Sequence, residues 1–300
     1  MVNATLFQKA VFAGGGHRCW WQAGWWLRVA AEQPLAPTRI AAVSAGAATA
    51  CLLYANTPEV ALEHYRSAIL PGARNAYWNR AWQRGQRVFP HEGIYRQALL
   101  TLLGGEAFER LKRDAPSMRV LYALAPRGAG AIGGFALGVM AYNIEKHIFR
   151  SLHPRLGSRL GFEPVIGTLQ ACADVQTLID LLLSSSATPP FTRLQSQGGR
   201  GILDGGMIDN VPVMAIDDPG EARDPAVPDT LVLLTRRYER YPEHFVHDGR
   251  VYVQPSRRVP VSGWDYTVPA AYEATYRQGR DDGERFLHWL EGQSFQRGTT

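Results

Sequence analysis

The chain has 300 residues, of which 46% are hydrophobic and 20% are charged, and its formal net charge is +5. This length and composition predict a folded globular protein with a large core, built as one α/β domain or two smaller ones. The positive charge is almost entirely arginine, which binds anionic groups such as lipid phosphates well. The sequence has no dense basic run, so it does not predict a nucleic-acid partner.

The three cysteines, Cys19, Cys51 and Cys172, are odd in number and widely spaced, which predicts neither a disulfide framework nor a zinc site. Buried thiols in a reducing compartment are expected, which favours a cytoplasmic location with peripheral contact at the inner membrane face left open. The first 16 residues lack the basic start and apolar core of a secretory signal. The most apolar segment, residues 128–142, is shorter than the roughly 18 residues that cross a bilayer, so no transmembrane anchor is expected.

Short apolar runs alternate with helical patterns along the chain, which is typical of strands joined by crossover helices in a mostly parallel sheet. Strands are predicted at residues 9–13, 39–43, 119–125, 165–168, 201–203, 230–235 and 251–253. Helices are predicted at residues 19–32, 45–54, 58–69, 93–103, 107–113, 175–184 and 272–290.

Two long stretches interrupt the alternation and are interpreted as insertions into a single domain that spans residues 1–300. Residues 71–92 mix aromatic side chains with arginines, and residues 126–163 join a glycine-rich apolar run to a basic segment. Long connections of this kind usually form lids or binding loops. The acidic, proline-rich stretch at 217–229 is expected to be an exposed loop.

The first predicted strand runs into three glycines, Gly14, Gly15 and Gly16, followed by a segment that holds four tryptophans. Backbone N–H groups without a nearby Cβ can be offered to an anion, as phosphate cradles and oxyanion holes do. The segment matches neither G-x-x-x-x-G-K-[ST] nor G-x-G-x-x-G, which disfavours a phosphate site. The tryptophan segment is apolar nearly all round, so we predict a helix packed behind the glycines rather than a membrane anchor.

The second predicted strand ends in V-S-A-G, which places Ser44 between an apolar strand and a helix of small residues. This pattern is similar to the nucleophile elbow G-x-S-x-G, with Ala42 and Gly46 at the two glycine positions, where a sharp turn requires small neighbours. For V-S-A-G taken alone, an ordinary helix N-cap at Ser44 would be the better interpretation.

Further along the chain, Asp204 follows a short apolar run and precedes two glycines in the sequence LDGGMIDNVPV. A carboxylate at a strand end could serve as the base for Ser44, although D-G-G alone is a common turn. An unperturbed aspartate has a pKa of about 3.9, so partial burial would have to strengthen it as a base.

Four motifs, namely GGGHR, V-S-A-G, SSSATPPF and LDGGMIDNVPV, resemble in order and approximate spacing the patatin-like phospholipase family. The resemblance covers residues 11–55 and about 119–215. It implies a three-layer α/β/α sandwich with a mostly parallel central sheet and a Ser–Asp dyad. Ser44 would be the nucleophile and Asp204 the base.

The resemblance also assigns Gly14, Gly15 and Gly16 to the oxyanion hole, with Arg18 matching the arginine of the motif. Cys19 replaces the glycine that follows this arginine in the family pattern. Among the later residues, Asn210 and Pro212 would be structural.

The implied function is a serine lipid acyl hydrolase of the phospholipase A or lysophospholipase type, which cleaves carboxylic esters through an acyl-enzyme. It would need no metal or organic cofactor. Its partner would be a lipid or acyl-ester substrate, with peripheral membrane contact left open, and the sequence does not predict an oligomeric state.

Three alternatives remain open at this stage. A Ser-Asp-His esterase or thioesterase would use His244, His247 or His288, although these residues suit packing or surface positions. The G-x-G-x-x-G at residues 128–133 could bind a dinucleotide with Glu145, although a glycine-rich loop or apolar lid fits that segment better. A catalytically silent lipid-binding protein would keep the fold without the chemistry.

Overall fold

The structure is a computed structural model that describes residues 5–68, 73–144, 151–153, 156–218, 220–221, 224 and 227–293. The strands are β1 (Lys9–Phe12), β2 (Arg39–Val43), β3 (Ser117–Leu124), β4 (Glu163–Thr168), β5 (Gln195–Gln197), β6 (Arg200–Asp204), β7 (Thr230–Leu233), β8 (His244–His247) and β9 (Arg250–Val253). The α-helices are α1 (Trp20–Ala30), α2 (Ala45–Ala55), α3 (Pro58–Ala68), α4 (His91–Leu103), α5 (Glu106–Asp114), α6 (Gly130–Ile144), α7 (Leu156–Arg159), α8 (Val175–Ser185) and α9 (Pro269–Glu291).

The strands form one sheet in the order β5-β6-β3-β2-β1-β7-β9-β8, with β4 paired to β3 beside this path. The five central strands, from β3 to β9, run parallel, and the pairings at both edges are antiparallel. Alternate residues of β1 point to opposite faces: Ala10 and Phe12 join the larger core and Val11 joins a second core. Helices cover both faces, which confirms the predicted α/β/α architecture with a mostly parallel central sheet.

Helix α1 packs along α9, and glycines on both helices allow the close approach. A Cβ on Gly24 would lie 2.0 Å from the carbonyl oxygen of Tyr276, and one on Gly279 would lie 2.1 Å from that of Trp21. The Trp21 indole N–H donates a 2.7 Å hydrogen bond to Asp282 on α9. The tryptophans of α1 are therefore buried packing residues, as predicted. No helix within the described ranges is long and apolar enough to cross a membrane.

Strands β2 and β6 meet end to end along one edge of β3. Residues 119–121 of β3 pair with both β2 and β4, so these two strands lie on opposite edges of β3. Residues 122–124 pair with both β4 and β6, so β6 must lie on the same edge as β2. β2 ends opposite Leu121 and β6 ends opposite Tyr122. The C-terminal ends of β2 and β6 therefore lie next to each other, one peptide apart along β3.

The segment predicted as a glycine-rich loop or lid is instead the helix α6. Gly134 packs against Ala125, and Gly138 packs against Met207 and Phe162, so the small residues bring α6 close to the sheet. The apolar side chains follow no helical period because the helix is apolar on all sides, which hid it in the sequence.

Other differences concern short elements and the boundaries of the expected insertions. The sequence did not predict β5 or β8, and His244 and His247 lie in β8. Residues 73–90 contain only a short 3-10 turn, Trp78–Trp82. Parts of three expectations lie outside the described residues: Ile69 of the third predicted helix, residues 71–72, 145–150 and 154–155 of the insertions, and residues 219, 222–223 and 225–226 of the acidic loop.

Candidate active site

Ser44 occupies a strained turn between β2 and α2. Its φ of 54° lies in a region that residues with a Cβ rarely adopt. A Cβ on Gly46 would lie 2.5 Å from the carbonyl oxygen of Ala13, so only glycine fits there. The alanine at the other elbow position, Ala42, is fully buried in the larger core. The turn therefore has the geometry of a nucleophile elbow in spite of this replacement.

The hydroxyl of Ser44 does not cap α2. It donates a 2.6 Å hydrogen bond to Oδ2 of Asp204, the last residue of β6. The other oxygen of this carboxylate, Oδ1, accepts a 2.7 Å bond from the Gly206 N–H. The end-to-end meeting of β2 and β6 thus brings together two residues that are 160 positions apart in the chain.

The Asp204 side chain is almost completely buried. Burial raises the pKa of its carboxyl group to about 6, although the hydrogen bonds from Ser44 and the Gly206 N–H oppose this change. A Cβ on Gly205 would lie 2.4 Å from the carbonyl oxygen of Leu121, which explains why a glycine follows the aspartate. The carboxyl group is therefore a stronger base than an ordinary aspartate.

Ser185, at the end of α8, supports the serine turn from behind. Its hydroxyl accepts a 2.7 Å hydrogen bond from the Ser44 N–H and donates a 2.6 Å bond to the carbonyl oxygen of Leu121. The Asp204 N–H donates to the carbonyl oxygen of Ala187, which is two residues after Ser185. The SSSATPPF motif therefore holds both residues of the pair, but nothing in the sequence singled out Ser185.

Gly14 is the first of the three glycines, and its backbone is fully engaged. Its N–H donates to the carbonyl oxygen of Asn210, and its carbonyl oxygen accepts bonds from Asn210 Nδ2 at 3.0 Å and Thr235 Oγ1 at 2.5 Å. A Cβ on Gly14 would lie 3.2 Å from the Cβ of Ser44, so this loop adjoins the serine. The expectation that Gly14 offers its N–H to a substrate is wrong, because Asn210 already accepts that hydrogen.

The next two peptides of the loop have defined orientations. The Gly15 carbonyl oxygen accepts bonds from Arg18 Nε at 3.0 Å and from the Arg18 N–H at 3.3 Å. Gly16 has a φ of +57°, and a Cβ there would lie 2.1 Å from the carbonyl oxygen of Gly263. The N–H groups of Gly15 and Gly16 donate no hydrogen bond to any residue that the structure describes. Arg18 therefore orients the loop through its guanidinium group.

A mostly apolar cavity, about 840 Å³ with the open solvent at its mouth included, lies beside Ser44 and Gly16. Side chains from α1, α2, α3, α4 and the 263–266 segment line it, and most of them are apolar or aromatic. A hydrophobic group bound there would lie directly beside the serine hydroxyl.

Two histidines that the sequence analysis did not single out, His17 and His91, also line this cavity. Burial lowers the pKa of His17 to about 3 and lowers that of His91, so both are neutral at physiological pH. His91 Nε2–H donates to the carbonyl oxygen of Trp264 at 3.0 Å. Within the described residues, neither histidine forms a hydrogen bond with Ser44 or Asp204.

The three histidines of the alternative triad are not near the serine. His244 and His247 lie on β8, four strands from β2, which is about 19 Å at the usual strand spacing. His244 packs against Phe286, and His288 projects from α9 towards Glu284. These positions do not form a Ser-Asp-His triad.

The dinucleotide alternative also disagrees with the topology. Helix α6 begins within the G-x-G-x-x-G at residues 128–133, but the next strand, β4, returns antiparallel to β3. A dinucleotide-binding unit requires a parallel strand after that helix, and Glu145 lies outside the described residues. In the part of the chain that the structure describes, no group of His, Cys, Asp and Glu residues could hold a metal ion.

The α/β/α fold, the strained serine turn and the buried carboxylate beside an apolar cavity define a protein with the geometry of a serine hydrolase. The chain belongs to the patatin-like phospholipase family, whose model matches residues 10–217. Membership of this family implies lipid acyl hydrolase activity. The crystal structure of VipD from Legionella pneumophila is similar at a TM-score of 0.42 and 11% sequence identity, over 95% of this chain and 67% of that one. No curated protein matches the sequence.

Proposed function

We propose that the protein is a serine acyl hydrolase that cleaves carboxylic ester bonds of lipids, in the manner of a phospholipase A or lysophospholipase, with Ser44 as nucleophile and Asp204 as base. The observation that carries this proposal is the 2.6 Å hydrogen bond from Ser44 Oγ to the buried Asp204 carboxylate. The raised pKa of Asp204, about 6, keeps most of the carboxyl ionised at neutral pH while strengthening it as a base.

In the first half of the reaction, Ser44 Oγ attacks the ester carbonyl carbon and transfers its proton to Asp204. The tetrahedral intermediate then collapses, the bond to the leaving alcohol breaks, and Asp204 returns the proton to that alcohol. In the second half, Asp204 takes a proton from water, which attacks the acyl-enzyme. The second tetrahedral intermediate collapses, the bond between the acyl carbon and Ser44 Oγ breaks, and Asp204 returns the proton to Oγ as the fatty acid leaves.

The negative charge that develops on the carbonyl oxygen requires donors, and the N–H groups of Gly15 and Gly16 are the best placed. In a trans peptide the C=O and the following N–H point in opposite directions. Asn210 and Thr235 hold the Gly14 carbonyl on one side, and Arg18 holds that of Gly15. The N–H groups of Gly15 and Gly16 consequently point away from Asn210, Thr235 and Arg18. Preorganised donors of this kind stabilise an oxyanion strongly.

Purified Ser44→Ala and Asp204→Asn variants test the dyad with soluble nitrophenyl esters. Both should lose turnover, and a fluorophosphonate probe should label the wild-type protein but not Ser44→Ala. His244→Ala, His247→Ala and His288→Ala should keep their activity. Retained turnover in either dyad variant, or its collapse in a histidine variant, would refute the assignment; absence of labelling would favour a catalytically silent lipid-binding protein.

A further inference from the structure

An exposed aromatic surface lies next to the cavity, on residues 73–90. Trp78 and Trp82, in the short 3-10 turn of this segment, expose 70% and 92% of their surface. Tryptophan side chains are usually well buried in soluble proteins, because they are large and mostly apolar. Two neighbouring exposed indoles therefore indicate a surface that a partner covers.

The same segment carries an excess of positive charge. Residues 73–90 contain four arginines and no acidic residue. Arg87 pairs with Glu92 at 2.8 Å. Arg74, Arg80 and Arg84 form no ion pair with any described residue, and Arg80 lies over the Tyr77 ring, 4.1 Å from its centre. Three unpaired guanidinium groups thus accompany the two exposed indoles.

A chain of aromatic contacts connects this surface to the cavity. Trp78 contacts Phe89 at 5.8 Å between ring centres, Phe89 contacts Phe191 at 5.0 Å, and Phe191 stacks on Trp264 at 5.2 Å. Trp264 lines the cavity. The exposed surface is therefore continuous with the wall of the site.

Asn75 fixes the segment to the same wall. Its amide Nδ2 donates a 3.0 Å hydrogen bond to Asp265, and its Oδ1 accepts a 2.9 Å bond from the Tyr266 N–H. Because Tyr266 also lines the cavity, this two-point attachment holds the indoles and guanidinium groups in a constant position relative to it.

We propose that residues 73–90 form a docking surface for an anionic phospholipid bilayer, which places the cavity against the membrane so that a lipid can enter it. The inference rests on the proposed function for the identity of the lipid that enters. Indole rings prefer the interface between headgroups and acyl chains, and each arginine near an anionic surface contributes about 1 kcal/mol. Arginines without acidic neighbours in the segment, beside exposed indoles, match anionic headgroups above an apolar layer, which favours a bilayer as the partner.

Vesicle sedimentation in the Ser44→Ala background tests this docking surface without turnover. The probes are vesicles of phosphatidylcholine alone and vesicles with equal parts of phosphatidylcholine and phosphatidylglycerol. The protein with an unaltered surface should bind the anionic vesicles more tightly than the phosphatidylcholine vesicles, and added salt should weaken its binding to the anionic ones. Replacing Arg74, Arg80 and Arg84 together by Gln should weaken binding to anionic vesicles about a hundredfold, about fivefold for each arginine.

Replacing Trp78 and Trp82 together by Ala should weaken binding to both kinds of vesicle by roughly tenfold. The matched control combines Arg240→Gln and Val246→Ser, an exposed arginine and an exposed apolar residue near the β8 edge that do not line the cavity. This control should bind as the parent does. Thermal unfolding midpoints should agree closely among the variants, since every substituted side chain except the partly buried Arg80 is exposed.

Unchanged vesicle binding in both the arginine and the tryptophan variants would overturn the proposal. So would self-association in sedimentation velocity that the tryptophan variant abolishes without any change in vesicle binding, because the surface would then be a protein interface. Hydrolysis of a soluble nitrophenyl ester by the protein with Ser44 intact is measured in parallel. Absence of this hydrolysis would refute the proposed function. The vesicle result would still decide whether residues 73–90 bind an anionic bilayer.

Discussion

Replacing Asp204 by asparagine should abolish turnover and at the same time stabilise the folded protein at neutral pH. Asp204 is 8% exposed, and burial raises the pKa of its carboxyl group from 3.8 to about 6. A carboxyl pKa that is higher in the folded than in the unfolded chain stabilises the fold at low pH, and this contribution is lost as the pH rises through the folded value. At 1.36 kcal/mol for each pH unit between the two values, the loss is about 3 kcal/mol.

Asparagine is a suitable replacement because it removes the charge and keeps the shape. Its carbonyl oxygen can accept the hydrogen bond that the Gly206 N–H now donates to Asp204. Its amide group can donate to Ser44 Oγ, whose hydroxyl rotates to accept. The substitution therefore keeps a hydrogen bond to the Gly206 N–H and one between residues 44 and 204, and the pH-dependent part of the change in stability reports the charge.

The assay is urea unfolding of both proteins at about pH 4 and about pH 8, analysed by linear extrapolation. The free energy of unfolding of the variant minus that of the wild type should be about 2 kcal/mol larger at the higher pH, because part of the loss has already occurred at about pH 4. Other titrating groups contribute equally to both proteins and cancel in this difference. The same difference at both pH values would refute the reasoning, because it would mean that Asp204 is not a buried carboxyl group with a raised pKa.

Three other predictions concern the surroundings of the dyad. The value of kcat/KM for a soluble ester should rise with pH through about 6 and then level off if the ionised Asp204 is the base, as proposed; a profile that is flat between about pH 4 and pH 8 would contradict this role. Thr235→Val removes a hydrogen bond to the Gly14 carbonyl, so kcat should fall by roughly tenfold or more in steady-state kinetics with KM little changed, and an unchanged kcat would argue against the oxyanion assignment. Ser185→Ala leaves the Ser44 N–H and the Leu121 carbonyl without this partner, so urea unfolding should show a loss of about 1–3 kcal/mol, whereas wild-type stability would show that neither group needs it.

The serine and the carboxylate were predictable because their close packing leaves marks in the sequence. Gly46 and Gly205 each lie where a Cβ would meet a carbonyl oxygen at about 2.5 Å, so small residues beside Ser44 and Asp204 are required by the geometry. The apolar alternation likewise reflects the two faces of the central strands. Both signals come from residues that are neighbours in the sequence, and both can be recognised from the residue types.

The parts that the sequence did not predict depend on contacts between distant segments. The Gly14 N–H bonds to the carbonyl of Asn210, almost two hundred residues later, and nothing in the glycine run shows that one donor is already used. Helix α6 escaped prediction because an apolar helix has no polar face to set a period. The short edge strand β8 pairs on one side with β9, and four residues give too little alternation to recognise.

The segment from Asp204 to Asn210 connects the two halves of the proposed catalytic machinery. Asp204 accepts the Ser44 hydroxyl at the start of this segment, and Asn210 bonds to both the N–H and the C=O of Gly14 at its end. Gly206 lies between them, and a Cβ there would come within 3.0 Å of Asp204 Oδ1 and 2.9 Å of Asn210 Oδ1. The base and the glycine loop are therefore held by one short segment of chain, and a displacement of either would move the other. Asn210, expected only to be structural, thus fixes the glycine loop, which carries the proposed oxyanion donors, relative to Asp204, the proposed base.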